Sequence, residues 1–412
     1  KRRVRRQGLS TEHPKTGFMN IPFLDLNKLN APYEARFKKL FEHFLESGTY
    51  ILGDAVNNFE QEFARYCGTE FCVGTGNGFD ALRLIFEGYK AEGKLAEGDG
   101  VLLAANSYIA TVLAVMHAGL KPVFTEAESK FFNIDLEKLD PPDTSVKVLL
   151  VTHLYGQLGP VEALSDYAKK HQLLLIEDAS QAHGAEFKGK RLGSFGVASN
   201  FSFYFAHHMS TIEGGMACTN DENLYQIFRM LRSHGMVRET TDEELSQSYI
   251  QDYPELNPEF IFAYPAYNMR NTEIGAVLGR NQLKRLDENN INRRKNFKYF
   301  LDNLDPEKYQ TDFELEGSCN YAFNLVIKNS DIEFCERVMT RLREMGVEFR
   351  RGSAGGGNQL RQPYLKGIVD KNEHKNYPVV EHIHFYGFYI GNYPGLEKEN
   401  ILLLCKALNS VH

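Results

Sequence analysis

The chain has 412 residues and a formal net charge of −7, with 42% hydrophobic and 25% charged residues. These values are ordinary for a soluble globular protein, and the acidic balance argues against a general nucleic-acid-binding surface. No apolar run approaches the roughly 18 residues of a membrane-spanning helix, so we expect no membrane insertion. The six scattered cysteines form no Cys-x-x-Cys pair and are expected to be reduced thiols of a cytoplasmic protein.

The beginning of the chain differs from the rest. Residues 1–18 are strongly basic and lack the apolar segment of a secretory signal, so we expect a disordered tail. The following sequence alternates strand and helix patterns, which predicts an α/β fold. Its length suits two domains, and we expect a large domain over residues 19–285 and a smaller C-terminal α/β domain over 286–412. Apolar residues at helical spacing predict the first two helices over 32–47 and 54–66.

A glycine-rich turn follows the next short strand. The sequence Val-Gly-Thr-Gly-Asn-Gly-Phe-Asp begins at Val73 and leads into a predicted helix over residues 79–90. A helix N-terminus offers free N–H groups and the positive end of the helix dipole, which suits a phosphate group. The turn is weak evidence when taken alone, because no acidic residue about 20 positions later completes a dinucleotide-binding fingerprint.

A second candidate feature is an acidic residue at the end of an apolar strand. The run Leu-Leu-Leu-Ile-Glu-Asp begins at Leu173 and ends at Asp178. A carboxylate at the end of a buried strand is unfavourable unless it is paired. Asp178 could cap the turn that follows, or it could bind a protonated ligand nitrogen.

The C-terminal part of the sequence continues the alternation of helices and strands. We predict one long helix over 273–302, a strand over 320–327 and a helix over 331–345. A strand over 347–350 and a closing helix over 396–408 complete the predicted C-terminal domain.

Two adjacent histidines occupy the most informative stretch. The aromatic run from Phe201 to Phe205 predicts a buried strand, and His207 and His208 follow it before a Glu-Gly-Gly turn. The pair alone would also fit a metal site or two core histidines.

The segment Ser-Phe-Tyr-Phe-Ala-His that starts at Ser202, together with its Gly-Gly turn, resembles the active-site signature of sugar aminotransferases that use pyridoxal phosphate (PLP). In that family a lysine that holds PLP covalently stands where this chain has His207. The sequence His-His-Met-Ser-Thr-Ile-Glu-Gly-Gly resembles the sugar 3-dehydratase branch of the family. An imidazole cannot form a stable imine, but it can still transfer protons. The resemblance covers residues 20 to 410 approximately and implies fold type I, the aspartate aminotransferase-like fold.

The resemblance also implies roles for single residues around the cofactor. It assigns the cofactor phosphate to Gly78, Phe79 and Ser202, ring stacking to Tyr108, the pyridine nitrogen to Asp178 and the ring hydroxyl to Gln181. It further implies that Asn268 reaches the cofactor of a neighbouring subunit, which predicts a homodimer with shared active sites. Tyr108 could instead be a core tyrosine.

Four further residues are candidates for substrate binding. His208 and His234 are expected near the substrate, although a helix-terminal histidine such as His234 is also common without that role. The glycine-rich segment after Gly352 resembles the dehydratase branch and implies that Asn358 and Arg361 contact a nucleotide-sugar.

The implied activity is a 3-dehydratase acting on a nucleotide-linked 4-keto-6-deoxyhexose, with GDP-4-keto-6-deoxy-D-mannose as the first candidate. PLP would bind non-covalently and alternate with pyridoxamine phosphate (PMP), and L-glutamate would supply the amino group. His207 would be the catalytic acid and base. Three alternatives remain: an ordinary sugar aminotransferase, an iron–sulfur-assisted dehydratase, which the cysteine spacing disfavours, and a non-catalytic scaffold.

Overall fold

The computed structural model describes residues 21–352 and 357–412, so the predicted basic tail lies outside the described residues. The strands are β1 Phe71–Thr75, β2 Gly100–Ala104, β3 Lys121–Thr125, β4 Val146–Thr152, β5 Leu174–Asp178, β6 Glu186–Phe187, β7 Lys190–Arg191, β8 Ala198–Ser202, β9 Gly215–Thr219, β10 Ala322–Val326, β11 Phe349–Arg351 and β12 Gly387–Gly391. The helices are α1 Leu26–Asn30, α2 Glu34–Ser47, α3 Asp54–Cys67, α4 Gly78–Ala91, α5 Ile109–His117, α6 Val161–Lys170, α7 Glu222–Leu231, α8 Glu243–Asp252, α9 Glu273–Leu283, α10 Leu286–Asn303, α11 Ile332–Glu344, α12 Pro378–Tyr386 and α13 Lys398–Asn409.

A seven-stranded sheet in the order β1-β9-β8-β5-β4-β2-β3 forms the centre of the larger unit. Strand β9 runs antiparallel to both of its neighbours, and the other described strands of this sheet run parallel to one another. Strands β2 and β8 are buried along their whole length, as expected for a sheet covered on both faces by helices. The α/β class predicted from the sequence is confirmed.

A smaller antiparallel sheet in the order β10-β12-β11 lies in the C-terminal part of the chain. Its core includes Phe297, Phe323 and Leu404, and it also takes in Ile21 and Phe23 from the start of the described chain. Ile21 forms a bridge with Val347, which ties this first segment to the C-terminal unit. The predicted domain boundary at residue 285 stays a prediction.

Two predicted elements differ from the structure. The long helix predicted over 273–302 is interrupted at Lys284 and Arg285, because α9 packs on α3 while α10 packs on α13. Arg285 leaves helical geometry and donates a hydrogen bond to the carbonyl of Leu29. The aromatic strand ends at Ser202, and Phe205 beyond it is 38% exposed, so the prediction of a buried strand through Phe205 was wrong.

Among the described helices, none combines the length and the apolar character needed to cross a bilayer.

Candidate active site

A cavity of about 530 Å³ opens at the carboxyl edge of β4, β5 and β8. Loops at this edge carry the chemistry of open α/β sheets. Seven residues predicted from the sequence line it together: Gly78, Phe79, Tyr108, Asp178, Gln181, Ser202 and His207. The structure therefore brings together residues that lie up to 129 positions apart in the chain.

The N-terminus of α4 forms one end of the cavity. Asn77 caps this helix by accepting a hydrogen bond from the backbone N–H of Asp80, and Gly78 begins the helix. A Cβ atom at Gly78 would lie 2.4 Å from the Cβ of Ser202, so glycine is required for the helix to approach β8 this closely. The N-terminus of α4, with its free N–H groups and the positive end of the helix dipole, therefore lies next to Ser202. This arrangement suits a phosphate group.

Asp178 lies at the end of β5 and is 6% exposed. One carboxylate oxygen accepts a hydrogen bond from the Thr111 hydroxyl at 2.6 Å, and the other accepts from the Asn200 amide at 3.1 Å and from the Ser180 N–H. No lysine, arginine or histidine forms an ion pair with Asp178 among the described residues. A buried, fixed carboxylate at a cavity wall suits a cationic ligand nitrogen.

Two further side chains complete the wall around this carboxylate. The Gln181 side-chain oxygen accepts a hydrogen bond from the Tyr155 N–H at 2.7 Å, which leaves the amide NH₂ as the donor at the cavity. Tyr108 precedes α5 and is 41% exposed, so it is a wall residue and not the core tyrosine considered as an alternative.

His207 is held by a hydrogen bond of 2.9 Å between its Nδ1 and the carbonyl of Ser202. A carbonyl can only accept, so Nδ1 carries the proton and Nε2 is the unprotonated nitrogen. The pKa of His207 is lowered to about 4, mainly by burial and to a smaller extent by the positive charge of Arg350, and the Ser202 carbonyl and Asp178 oppose this shift. The imidazole is therefore neutral at neutral pH and has a free lone pair for accepting a proton.

The second histidine of the pair faces away from the cavity. His208 is 4% exposed, its Nε2 lies 3.3 Å from the carbonyl of Cys319, and its ring centroid lies 5.7 Å from that of His183. Burial lowers the pKa of His208 well below its ordinary value. In the described part of the chain, no cluster of three or more His, Cys, Asp or Glu side chains has the arrangement of a metal site.

Four other predicted residues also lie outside the cavity lining. His234 is exposed and has a positive φ of 62°. Asn268 is exposed, and its side-chain oxygen accepts a hydrogen bond from Arg270. The Asn358 side chain is buried and donates to Glu381, which also forms an ion pair with Arg361. Substrate roles for His208, His234, Asn358 and Arg361, and the intersubunit role of Asn268, stay predictions.

Sequence reasoning missed several cavity residues. Thr111 and Asn200 orient Asp178, and Tyr321, Arg350 and Tyr389 come from the C-terminal unit. Thr111 lies one helical turn after Tyr108, and Asn200 lies two residues before Ser202 on the same strand. These two spacings could have predicted that both residues face the cavity, because residues so spaced share a face of a helix or strand.

Comparison with known proteins agrees with this geometry. Residues 33–409 match the model of the DegT/DnrJ/EryC1/StrS aminotransferase family. A dTDP-3-amino-3,6-dideoxy-alpha-D-galactopyranose transaminase from Aneurinibacillus thermoaerophilus is 37% identical over 69% of this chain and 72% of its own length. A GDP-4-keto-6-deoxy-D-mannose 3-dehydratase from Escherichia coli is 28% identical over 86% of this chain and 92% of its own length.

A solved structure of a related enzyme has the same fold. The E. coli GDP-4-keto-6-deoxy-D-mannose-3-dehydratase with bound hydrated PLP superimposes with a TM-score of 0.85 at 26% identity, covering 95% of this chain and 100% of that chain. The PLP-dependent aminotransferase fold predicted from the sequence is thereby confirmed. The chain belongs to the DegT/DnrJ/EryC1/StrS aminotransferase family.

Proposed function

We propose that the protein is a PLP- and PMP-dependent lyase that removes the C3 hydroxyl of a nucleotide-linked 4-keto-6-deoxyhexose, with L-glutamate as amino donor. The observation that carries the proposal is His207. It lines the cavity, its Nδ1 is hydrogen-bonded to the Ser202 carbonyl at 2.9 Å, and the resemblance of the flanking sequence gives it the place of the family lysine. The side chain can exchange a proton there, but it cannot hold the cofactor covalently.

The cavity fits the cofactor at each of its polar ends. The N-terminus of α4 and Ser202 would hold the phosphate, Asp178 would bind the ring nitrogen, and Gln181 would donate to the ring hydroxyl. Tyr108 would cover one face of the ring. When bound, the cofactor supplies an amine to the sugar ketone and an electron sink that makes loss of the neighbouring hydroxyl possible.

His207 would perform the proton transfers of this reaction. Because burial keeps it neutral, Nε2 can remove a proton from a carbon placed beside it. The imidazolium formed can then protonate the departing C3 oxygen, and acid–base assistance of this kind typically gives about 10²–10⁴-fold in rate. No lysine is needed for these two roles.

The substrate assignment rests on similarity. Two related GDP-4-keto-6-deoxy-D-mannose 3-dehydratases, from E. coli and Yersinia pseudotuberculosis, each align with more than 85% of this chain. Another solved structure of that enzyme carries a trapped PLP-glutamate geminal diamine. These support GDP-4-keto-6-deoxy-D-mannose and L-glutamate as substrates. The proposal adds a role in deoxysugar synthesis for surface polysaccharide such as O-antigen, carried out in the cytoplasm.

Aminotransfer is a second candidate function, because a related transaminase has the higher identity of 37%. That function would yield an amino sugar and would require each turnover to proceed without a covalent lysine. The product distinguishes the two functions directly: dehydration removes an oxygen, and aminotransfer introduces a nitrogen.

A second copy of the chain is the proposed partner. Helix α2 is amphipathic but has no buried residue, and its Phe41 and Leu45 are 48% and 51% exposed. Ile212, in the turn between His207 and the paired glycines, is 68% exposed. These exposed apolar side chains support a homodimer, in which Asn268 would reach the partner's cofactor.

Two matched substitutions test the role of His207. The His207→Asn variant keeps a donor for the Ser202 carbonyl but removes the base, so we expect dehydration to fall at least 100-fold while PLP still binds. The His171→Asn variant removes an imidazole at the end of α6, which does not line the cavity, and serves as the control. Full dehydration activity in His207→Asn would contradict the proposed function.

A further inference from the structure

Three of the six cysteines lie together, and the proposed function gives them no role. Cys72 is on β1, Cys218 is on β9, and Cys67 is the last residue of α3. Their exposed fractions are 3%, 0% and 2%, and they are not among the residues that line the cavity. We call these three residues the thiol cluster. The other cysteines hydrogen-bond to backbone carbonyls instead: Cys319, Cys335 and Cys405.

Cys72 and Cys218 face each other on neighbouring strands. The antiparallel register of β1 and β9 pairs these two residues directly. Opposed residues of antiparallel strands have Cα atoms about 4.5–5.5 Å apart, within the range of about 4.4–6.8 Å that a disulfide bridges. The two side chains lie on the same face of the sheet, and their sulfur atoms are 2.7 Å apart. A bond between the two sulfur atoms therefore needs little movement of the backbone.

Cys67 reaches the same pair from the end of α3. Its thiol and the thiol of Cys218 share a hydrogen bond, so Cys218 contacts both other members of the cluster. Cys218 can form a disulfide with only one of them, and the strand register favours Cys72 because it holds the two residues opposite each other. In the part of the chain that the structure describes, three such side chains nowhere have the arrangement of a metal site. The thiol cluster therefore offers the chemistry of thiols alone.

Burial determines which oxidant can act on this pair and how fast. It raises the pKa of the Cys72 and Cys218 thiols well above the ordinary value, so the reactive thiolate is scarce and oxidation should be slow. A bulky oxidant such as glutathione disulfide would have to open the sheet to reach either sulfur atom. Hydrogen peroxide is little larger than water, so it can reach a buried thiol after a much smaller local opening.

We propose that Cys72 and Cys218 form a reversible disulfide when the protein is exposed to hydrogen peroxide. Peroxide oxidises one thiol to a sulfenic acid and releases one water molecule, and the second thiol then attacks the sulfenic sulfur and releases another. Two thiols and one peroxide thus give one disulfide and two water molecules. Because β1 is the edge strand of its sheet and β9 is its neighbour, the bond would fasten this edge. The inference does not depend on the proposed function.

Peptide mapping of the full-length protein measures the bond directly. The folded protein is incubated with hydrogen peroxide, the remaining thiols are alkylated in denaturant without a reductant, and the digest is analysed by mass spectrometry. We expect a linked Cys72–Cys218 peptide that is lighter by two hydrogen atoms and disappears after treatment with dithiothreitol. Cys335 and Cys405, which are buried but hydrogen-bond to carbonyls, should remain fully alkylated and serve as internal controls.

Two results of this mapping would overturn the proposal. A linked Cys67–Cys218 peptide would show that the helix end, and not the strand register, selects the partner. The absence of any linked peptide, with or without further oxidation of single cysteines, would show that the pair does not form a disulfide in the folded protein.

Hydrogen exchange tests whether the bond fastens the edge strand. Oxidation should slow the exchange of the β1 amides at least tenfold in the wild type and leave it unchanged in Cys218→Ala. If the thermal midpoint shows that Cys218→Ala is not folded, Cys72→Ala takes its place, because it removes the other half of the same bond. Equal exchange of β1 in the oxidised and reduced wild type would overturn the fastening of this edge.

Discussion

Acidification should destabilise the cofactor-free protein through His207. Its pKa is lowered from 6.5 to about 4, mainly by burial. Between these two pH values, the imidazole is therefore mostly protonated in the unfolded chain and mostly neutral in the folded chain. This contribution to stability is present above pH 6.5 and is lost as the pH falls toward 4. Between pH 7.5 and 5.5 the loss amounts to at most about 1.3 kcal/mol, and solvent access at the cavity wall reduces it.

Urea unfolding at the two pH values measures this loss when wild type and His207→Asn are compared at one protein concentration. The variant lacks the titrating group, so its free energy of unfolding should fall by up to about 1.3 kcal/mol less than that of the wild type. His43→Asn is the control, because this histidine side chain is 62% exposed and should leave the wild-type pH dependence unchanged. Identical pH dependence in His207→Asn and wild type would refute a lowered pKa of His207 in the folded protein.

Three other substitutions probe the cavity and the core. Gly78→Ala would place a Cβ 2.4 Å from the Cβ of Ser202, so we expect PLP binding, measured by absorbance, to weaken at least tenfold in a folded protein; wild-type affinity would contradict the close approach of α4. Asp178→Asn removes the charge that we propose to face the ring nitrogen, so it should lower the dehydration rate more than the PLP affinity in single-turnover and binding measurements; equal effects would argue against that pairing. Glu60→Gln leaves buried Arg232 without its counter-charge and should cost about 3–5 kcal/mol of unfolding free energy, whereas a loss below about 1 kcal/mol would contradict a buried ion pair.

The residues at the ends of buried strands were predictable from the sequence. The apolar run before Asp178 and the glycine turn before α4 each indicate where a buried strand ends and a polar loop begins. Parallel strands bring their carboxyl ends to the same edge of the sheet. The orienting contacts of Asp178 come from Thr111 and Asn200, which are 67 and 22 positions away. Only the tertiary structure brings these donors together.

Adjacent histidines illustrate a different limit. His207 and His208 lie in an irregular turn after β8, where neither the helical nor the strand period tells which side chain faces the cavity. The structure turns His207 toward the cavity and His208 toward His183. Arg350 was missed for a related reason, because its place at the cavity wall depends on how the C-terminal sheet packs in the folded protein.

The interruption of the predicted helix over 273–302 has a tertiary cause as well. No proline or glycine stands at Lys284 and Arg285, but the two halves pack on different partners, α3 and α13. Local propensity therefore predicted which residues are helical. Long-range packing determines where the helix axis changes direction between α9 and α10.

Mass spectrometry of the reaction products tests the central claim most directly. The mixture would contain the purified protein, PLP, L-glutamate and GDP-4-keto-6-deoxymannose. The account predicts a sugar product that is lighter by one oxygen atom, together with 2-oxoglutarate and ammonia. A product that has gained nitrogen and retained its C3 oxygen would identify an aminotransferase and contradict the role assigned to His207.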